Sequence, residues 1–208
     1  MATAAERIGL PDRIRLPLSF DPAPLAADLA KLGGAEWIRH FVPRNYEGEW
    51  SALPLRAAAG ATHPIQMIAS DPSATAFVDT PLLGELPNIA AALSRFGCPL
   101  SCVRLMRLTP GSAIREHRDH DLDAALGWAR IHVPITTNPG VTFHLNGVAV
   151  EMAPGEAWYL RLTDPHRAAN GGASDRIHLV IDAQVDGWLA AQLESRAARE
   201  PQAISASA

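Results

Sequence analysis

The sequence is poor in lysine and aromatic residues and has no long hydrophobic run. Lys31 is the only lysine, and with a net charge of -4 and a pI near 6.0 no basic excess would attract nucleic acid or an acidic membrane surface. No stretch approaches the roughly 20 apolar residues of a membrane span, and the start, MATAAERIGL, lacks the pattern of an export signal. We therefore expect a cytoplasmic protein whose partner is a small or neutral molecule.

Cysteine is also scarce, which excludes a disulfide scaffold. Cys98 and Cys102 are the two cysteines, and no further Cys or His stands beside them at the spacing of a zinc finger. We expect two reduced thiols without a metal.

The length and composition are those of one domain built from short elements. The chain has 208 residues, of which 48% are hydrophobic, 6% are aromatic and 17 are prolines. No break in composition divides it. We therefore expect a single domain at residues 1–200, with a metal-binding core at about 99–185 and a disordered tail at 201–208.

The first half combines strands with two amphipathic helices. Residues 14–20 alternate apolar and polar side chains, and the stretch that follows from Pro22 has helical spacing up to paired glycines. Two strand-like runs follow at 36–56, around a polar turn. A second helix is predicted at Pro81–Phe96, with its apolar side against a sheet.

From Pro99 onward the pattern is almost wholly strand and turn. Asn146-Gly147 is a strong signal for a tight hairpin, and Pro154-Gly155 marks another turn. A closing helix is predicted at Asp186–Arg199. Regularly spaced strands of this kind predict an α+β, mainly β fold: a double-stranded β-helix, that is, a jelly-roll or cupin-like barrel, with the N-terminal helices packed on one sheet.

Two histidines and a carboxylate have the spacing of a metal site. In a strand residues i and i+2 share a face, so we expect His117 and Asp119 in REHRDHD to project to the same side. His166, from another strand, would complete a two-histidine, one-carboxylate set. Such a set leaves coordination positions open and is typical of non-haem Fe(II) oxygenases.

The alternation of side chains along each strand is also expected to direct arginines toward the barrel interior. Arg130 shares a face with His132, and Arg176, ten residues after His166, shares a face with His178. An unpaired buried guanidinium is costly, so these arginines predict an anionic occupant. A dicarboxylate that chelates the metal at one end and pairs with an arginine at the other meets both needs. We expect His178 to be a core histidine.

These motifs resemble the aspartyl/asparaginyl β-hydroxylase family of Fe(II)/2-oxoglutarate dioxygenases, including bacterial members similar to L-proline cis-4-hydroxylase. The matching stretches lie between Val103 and Asp182 and include REHRDHD, RIHVPITTN, PHRAAN and DRIHLVID. The resemblance implies a hydroxylase that uses Fe(II), 2-oxoglutarate and O2. It places His117, Asp119 and His166 on the iron ligands and Arg176 on the distal carboxylate of 2-oxoglutarate. It places Arg130 and His132 near the metal-chelating end of that cosubstrate.

The substrate and its contacts are left open by the residues. A free or carrier-bound amino acid is the leading hypothesis, and Asp or Asn residues within a peptide or protein are the second. The third is a non-catalytic, cupin-like metal-binding protein. An amino-acid carboxylate would need a cation, for which the candidates are Arg44, Arg115, Arg161 and Arg167. The turn PRNYEGEW is either a lid over the site or an ordinary surface loop.

Overall fold

The computed structural model describes residues 9–71 and 73–198, so the tail predicted at 201–208 and the predicted helix end at Arg199 lie outside the described residues. The helices are α1 (Pro22–Leu29), α2 (Pro64–Ile68), α3 (Pro81–Gly84), α4 (Pro87–Leu93) and α5 (Gly187–Ala197). The strands are β1 (Arg13–Ser19), β2 (Ile38–Arg39), β3 (Tyr46–Glu47), β4 (Trp50–Ala58), β5 (Phe77–Asp79), β6 (Leu100–Leu108), β7 (Ala113–His117), β8 (Trp128–Thr136), β9 (Val141–Leu145), β10 (Val148–Ala149), β11 (Glu156–Leu160), β12 (His166–Asn170) and β13 (Arg176–Gln184).

The strands form two sheets in which the neighbouring strands are antiparallel. The larger sheet has the order β1-β11-β8-β13-β6-β4-β2, with β5 paired to β4, and the smaller has the order β10-β9-β12-β7-β3. Between β9 and β10, Asn146 and Gly147 both have positive φ, as the predicted tight hairpin turn requires. Two facing antiparallel sheets of this kind form a jelly roll, so the predicted mainly β fold is confirmed.

Side-chain alternation gives the larger sheet two different faces. Leu105, Ile131 and Leu179 on its central strands pack with apolar residues of α1, α4 and α5 in one core cluster. Met106 and Val180, which have the opposite parity, belong to a second cluster shared with the smaller sheet. Helices α1, α4 and α5 therefore cover the outer face, and the inner face borders the space between the sheets. Among residues 9–71 and 73–198, no helix has the length and apolar character to cross a membrane.

Two short helices stand where one helix was predicted at Pro81–Phe96. α3 ends at Gly84 and α4 begins at Pro87, and Leu86 between them has φ -118° and ψ 67°. Proline lacks an N–H and disfavours a helical conformation for the residue before it. The single-helix prediction was wrong because Pro87 interrupts it.

The strand that carries the first predicted metal ligand is shorter than expected. β7 ends at His117, and Asp119 lies in the loop that follows. The Asp119 N–H donates to the carbonyl of Leu162, at 2.8 Å. His117 and Asp119 do project to the same side, as expected, but the strand ends before Asp119, so strand alternation alone does not account for the position of its carboxylate. The sequence also did not predict α2 or β5.

A buried carboxylate joins the helices on the outer face. Asp28 of α1 is 0% exposed and accepts hydrogen bonds from the backbone N–H groups of Asn88 and Ile89, in the first turn of α4, at 2.8 and 3.0 Å. The Lys31 ammonium group lies 2.7 Å from Asp28. The side chain of Leu86 does not cap the N-terminus of α4. The Asp28 carboxylate, which belongs to α1, caps it instead.

Asp28→Ala should lower the free energy of unfolding by about 2 kcal/mol, since it leaves buried N–H groups without an acceptor. Burial raises the pKa of Asp28, but hydrogen bonds from Lys31, Ile89 and Asn88 outweigh it and hold the pKa below 3.8. The stabilising effect should therefore be complete above pH 4 and decline as the pH falls further. Urea unfolding at pH 7 and pH 3 measures both effects. Asp21→Ala, which removes an exposed cap, is the control and should cost less; equal losses would contradict the assignment.

Candidate metal centre

Three predicted ligands converge at one end of the space between the sheets. His117, Asp119 and His166 each offer a ligand atom, and these atoms lie within 4.8 Å of one another. His117 ends β7 and His166 begins β12, and the two are direct partners across these antiparallel strands. His117 Nε2 lies 3.8 Å from Asp119 Oδ1. The structure therefore brings together two imidazoles and one carboxylate, a donor set that fits a ferrous ion.

Both histidines present the same ring nitrogen to this site. His117 Nδ1 lies 2.8 Å from the carbonyl of Arg115, and His166 Nδ1 lies 3.0 Å from the carbonyl of Asp164. A carbonyl only accepts, so Nδ1 carries the proton in each ring and Nε2 remains free as a ligand. Burial, opposed in part by Asp119, lowers the pKa of His166 to about 4. His166 is therefore neutral at pH 7, as metal binding requires.

Polar residues line the inner face of the larger sheet. They have the same parity as Met106 and Val180, which pack toward the smaller sheet, and they are buried or nearly so. Apolar residues alternate with them along the strands, so the charged side chains all lie on this one face, in the apolar interior of the protein. The residues are Arg104, Arg130, His132, Arg176, His178 and Asp182.

Arg176 faces a small cavity beside the three ligands. This cavity has a volume of about 40 Å³ and is lined by Arg176, His132 and the three converging residues among others. Arg176 is 3% exposed, and one of its terminal nitrogens donates to His178 Nδ1 at 3.0 Å. Its Nε, and Nε2 of His132, have no hydrogen-bond partner among the residues that the structure describes. Burial lowers the pKa of Arg176 to about 10, so a charged, incompletely paired guanidinium remains at pH 7 and fits an anion.

Arg130 is engaged with protein carboxylates. It donates from Nη1 to Asp119 Oδ2 at 2.7 Å and from Nε to Asp182 Oδ1 at 2.6 Å. Asp182 was not singled out from the sequence, although RIHLVID places it on the same strand face as Arg176 and His178. The signal that could have found it was therefore the strand alternation itself.

A larger cavity of about 390 Å³ also borders His117 and Asp119. One wall is aromatic: the rings of His40 and Trp50 are stacked with centroids 3.5 Å apart. Burial first, and then the charge of Arg104, lowers the pKa of His40 to about 3, so this wall is neutral at pH 7. The start of the turn PRNYEGEW contributes Arg44 and Asn45 to the lining of this cavity.

The four arginines considered for a substrate carboxylate have different surroundings. Arg115 pairs with Glu47 at 2.8 Å, and Arg161 pairs with Asp164 at 2.8 Å. Arg167 borders the small cavity. Arg44 borders the larger one, which has room for a small molecule beside His117 and Asp119.

Comparisons with known proteins agree with this geometry. A family model described as aspartyl/asparaginyl beta-hydroxylase matches residues 26–185, a longer span than the 103–182 on which the sequence motifs rest. The L-proline cis-4-hydroxylase of Rhizobium meliloti (strain 1021) is 30% identical over 168 residues, which are 79% of this chain and 58% of that protein. The L-proline cis-3-hydroxylase 2 of a Streptomyces species is 28% identical over 179 residues, 82% of this chain and 59% of that protein.

The similarity to solved structures concerns the fold. The crystal structure of an oxidoreductase of the 2OG-Fe(II) oxygenase family from Burkholderia pseudomallei matches with a TM-score of 0.52 and 15% identity. The match covers 83% of this chain and 85% of that one. This chain spans less than two thirds of the length of the two curated relatives.

Replacing either converging histidine should abolish tight metal binding. We expect His117→Ala and His166→Ala to weaken Co(II) binding to the metal-free protein by at least about 100-fold, since each removes one of three ligands. Isothermal titration calorimetry measures the affinity. His120→Ala, which removes an exposed imidazole close to Asp119, is the matched control and should bind like the parent. Equal affinity in all three variants would show that Co(II) binds elsewhere.

Proposed function

Because this chain belongs to the aspartyl/asparaginyl β-hydroxylase family, we propose that it is an Fe(II)- and 2-oxoglutarate-dependent dioxygenase that hydroxylates a free or carrier-bound amino acid. One observation carries the proposal: a two-histidine, one-carboxylate set and a buried arginine with an unpaired nitrogen line the same small cavity. A ligand that is both a chelator and a diacid would satisfy both groups.

In this proposal His117, Asp119 and His166 hold the iron, and Arg176 binds the distal carboxylate of 2-oxoglutarate. When bound, the iron would activate O2, which is the oxidant, and 2-oxoglutarate would supply the second pair of electrons as it is oxidised to succinate and CO2. The protein holds the metal and the cosubstrate, orients the substrate and limits the access of water. Phe143 serves the last of these tasks, because its buried apolar ring lines the small cavity beside His132 and His166.

The substrate occupies the larger cavity in this proposal. Its volume of about 390 Å³ lies within the range of small-molecule pockets, and it borders His117 and Asp119, so a bound molecule reaches the metal. Arg44 binds the substrate carboxylate. The stacked His40 and Trp50 rings contact its apolar part.

The names of the two relatives direct the choice of test substrates. Both are named for the hydroxylation of L-proline, at C4 in one protein and at C3 in the other. L-Proline therefore heads the panel, followed by other free amino acids, their carrier thioesters and Asp- or Asn-containing peptides.

Anaerobically purified protein, supplied with Fe(II), 2-oxoglutarate and O2, should release succinate faster with one class of this panel than without substrate. Mass spectrometry should show a product 16 Da heavier. The Arg176→Met variant should raise the KM for 2-oxoglutarate at least about 100-fold, since a buried charge-assisted pair is lost. Turnover of peptides alone would favour the peptide hydroxylase. No substrate-stimulated succinate across the panel would contradict the proposal.

Arg44→Met should raise the KM for the amino-acid substrate about 10- to 100-fold and change kcat little, because its contact to the carboxylate is remote from the reacting carbon. The KM for 2-oxoglutarate should not change. Arg15→Met is the matched control, since Arg15 is exposed, pairs with Glu156 at 3.0 Å and borders neither cavity, and it should behave like the parent. A normal substrate KM in Arg44→Met would remove Arg44 from the substrate site.

A further inference from the structure

A chain of buried charges connects the interior of the larger sheet to the metal centre. Asp182 on β13 is 2% exposed and faces two arginines. Arg104 of β6 reaches Asp182 Oδ2 at 2.7 Å, and Arg130 of β8 reaches Oδ1 at 2.6 Å and Oδ2 at 3.0 Å. Arg130 then reaches Asp119 Oδ2 at 2.7 Å. These four side chains therefore form a row of alternating charge, and its last member, Asp119, is a predicted metal ligand.

The geometry leaves Arg130 little freedom. Asp182 is directly opposite Arg130 in the pairing of β13 with β8, and it binds one edge of the guanidinium, Nε and Nη2, through both of its oxygens. Burial raises the pKa of Asp182, but Arg104 and Arg130 outweigh it and hold the pKa far below the ordinary value. Asp182 is therefore ionised at any pH at which the protein works. Its charge fixes the guanidinium against the sheet and directs Nη1 toward the Asp119 loop.

The Asp119 carboxylate needs such a partner. It follows the end of β7 in a loop, where strand geometry does not orient it, and each of its two oxygens is able to bind a metal. With Oδ2 bound to Arg130, Oδ1 is the oxygen closer to the histidines, 3.8 Å from His117 Nε2. The histidine rings are oriented by the carbonyls of Arg115 and Asp164. Each of the three ligands thus has its own orienting hydrogen bond.

We propose that Arg130, anchored by Asp182, is a positioning residue that holds Asp119 Oδ2 so that Oδ1 alone binds the metal. This inference rests on the proposed function. It gives Arg130 a role in addition to the cosubstrate contact that the family resemblance implies, which stays a prediction. Arg130 already donates to Asp119, to both oxygens of Asp182 and to Ser70. In Arg176, by contrast, Nε has no partner in the described part of the chain.

Metal affinity in the absence of 2-oxoglutarate separates the two roles. Arg130→Lys keeps a buried positive charge beside Asp182, but its single ammonium group does not reproduce the fork that spans Asp182 and Asp119. We expect it to bind Co(II) about 10- to 100-fold more weakly than the parent, with a changed visible absorption of the bound Co(II). Arg176→Lys is the matched control and should bind Co(II) like the parent but 2-oxoglutarate more weakly. Unchanged Co(II) affinity and absorption in Arg130→Lys would overturn the proposal.

A double-mutant cycle tests whether Arg130 acts through Asp119. In an Asp119→Ala background, Arg130→Lys should cause no further loss of Co(II) affinity, because the group that it orients is absent. A further loss as large as that in the parent background would overturn the proposal. Thermal unfolding of the metal-free variants checks that each one is folded.

If Arg130→Lys does not fold, Asp182→Asn decides the question. This substitution keeps the shape of the anchor and removes its charge, so Co(II) binding should weaken while Arg176 and the histidine ligands remain. Unchanged Co(II) affinity would overturn the role of the anchor. A parent protein that binds Co(II) and 2-oxoglutarate but fails these comparisons refutes only the positioning role, whereas a parent that binds neither refutes the proposed function as well.

Discussion

The pairing of β7 with β12 is the constraint on which the rest of the site depends. Their antiparallel register places His117 opposite His166, so two residues far apart in the chain become neighbours in one sheet. The strand ends matter as much as the pairing. β7 stops at His117 and β12 begins at His166, and the loops beyond these ends supply both Asp119 and the Asp164 carbonyl that orients His166.

The second constraint is electrostatic. The inner face of the larger sheet carries three arginines in an environment that penalises unpaired charge. Asp182 forms ion pairs with two of them, Arg104 and Arg130, and Arg130 also forms an ion pair with Asp119. Arg176 has a neutral histidine as its side-chain partner. This unequal distribution of carboxylates distinguishes the arginines: Arg104 and Arg130 are paired with carboxylates, and Arg176 has no carboxylate partner among the described residues.

The separation of the two cavities follows from this layout. The small cavity lies between the sheets, where Arg176 and His132 border the triad, and the larger one lies under α2 and the loop from His40 to Asn45. His117 and Asp119 border both cavities. A cosubstrate and a substrate bound on the two sides would therefore meet at the metal, which is the arrangement that a hydroxylase needs.

By itself the sequence determined the jelly-roll class, the family and the residue types of the centre. Periodicity, turn residues and short motifs are local properties of the chain, so they can be recognised without knowledge of the tertiary contacts. The same reasoning failed at Pro81–Phe96, where Pro87 interrupts the helix, and it assigned Asp119 to a strand, whereas Asp119 lies in the loop after β7 although it faces the same side as His117. Only the tertiary structure decided that Asp182 pairs with Arg130 while Arg176 has no carboxylate partner in the described part of the chain, because the pairing of buried charges depends on strand register and on distances between residues remote in the chain.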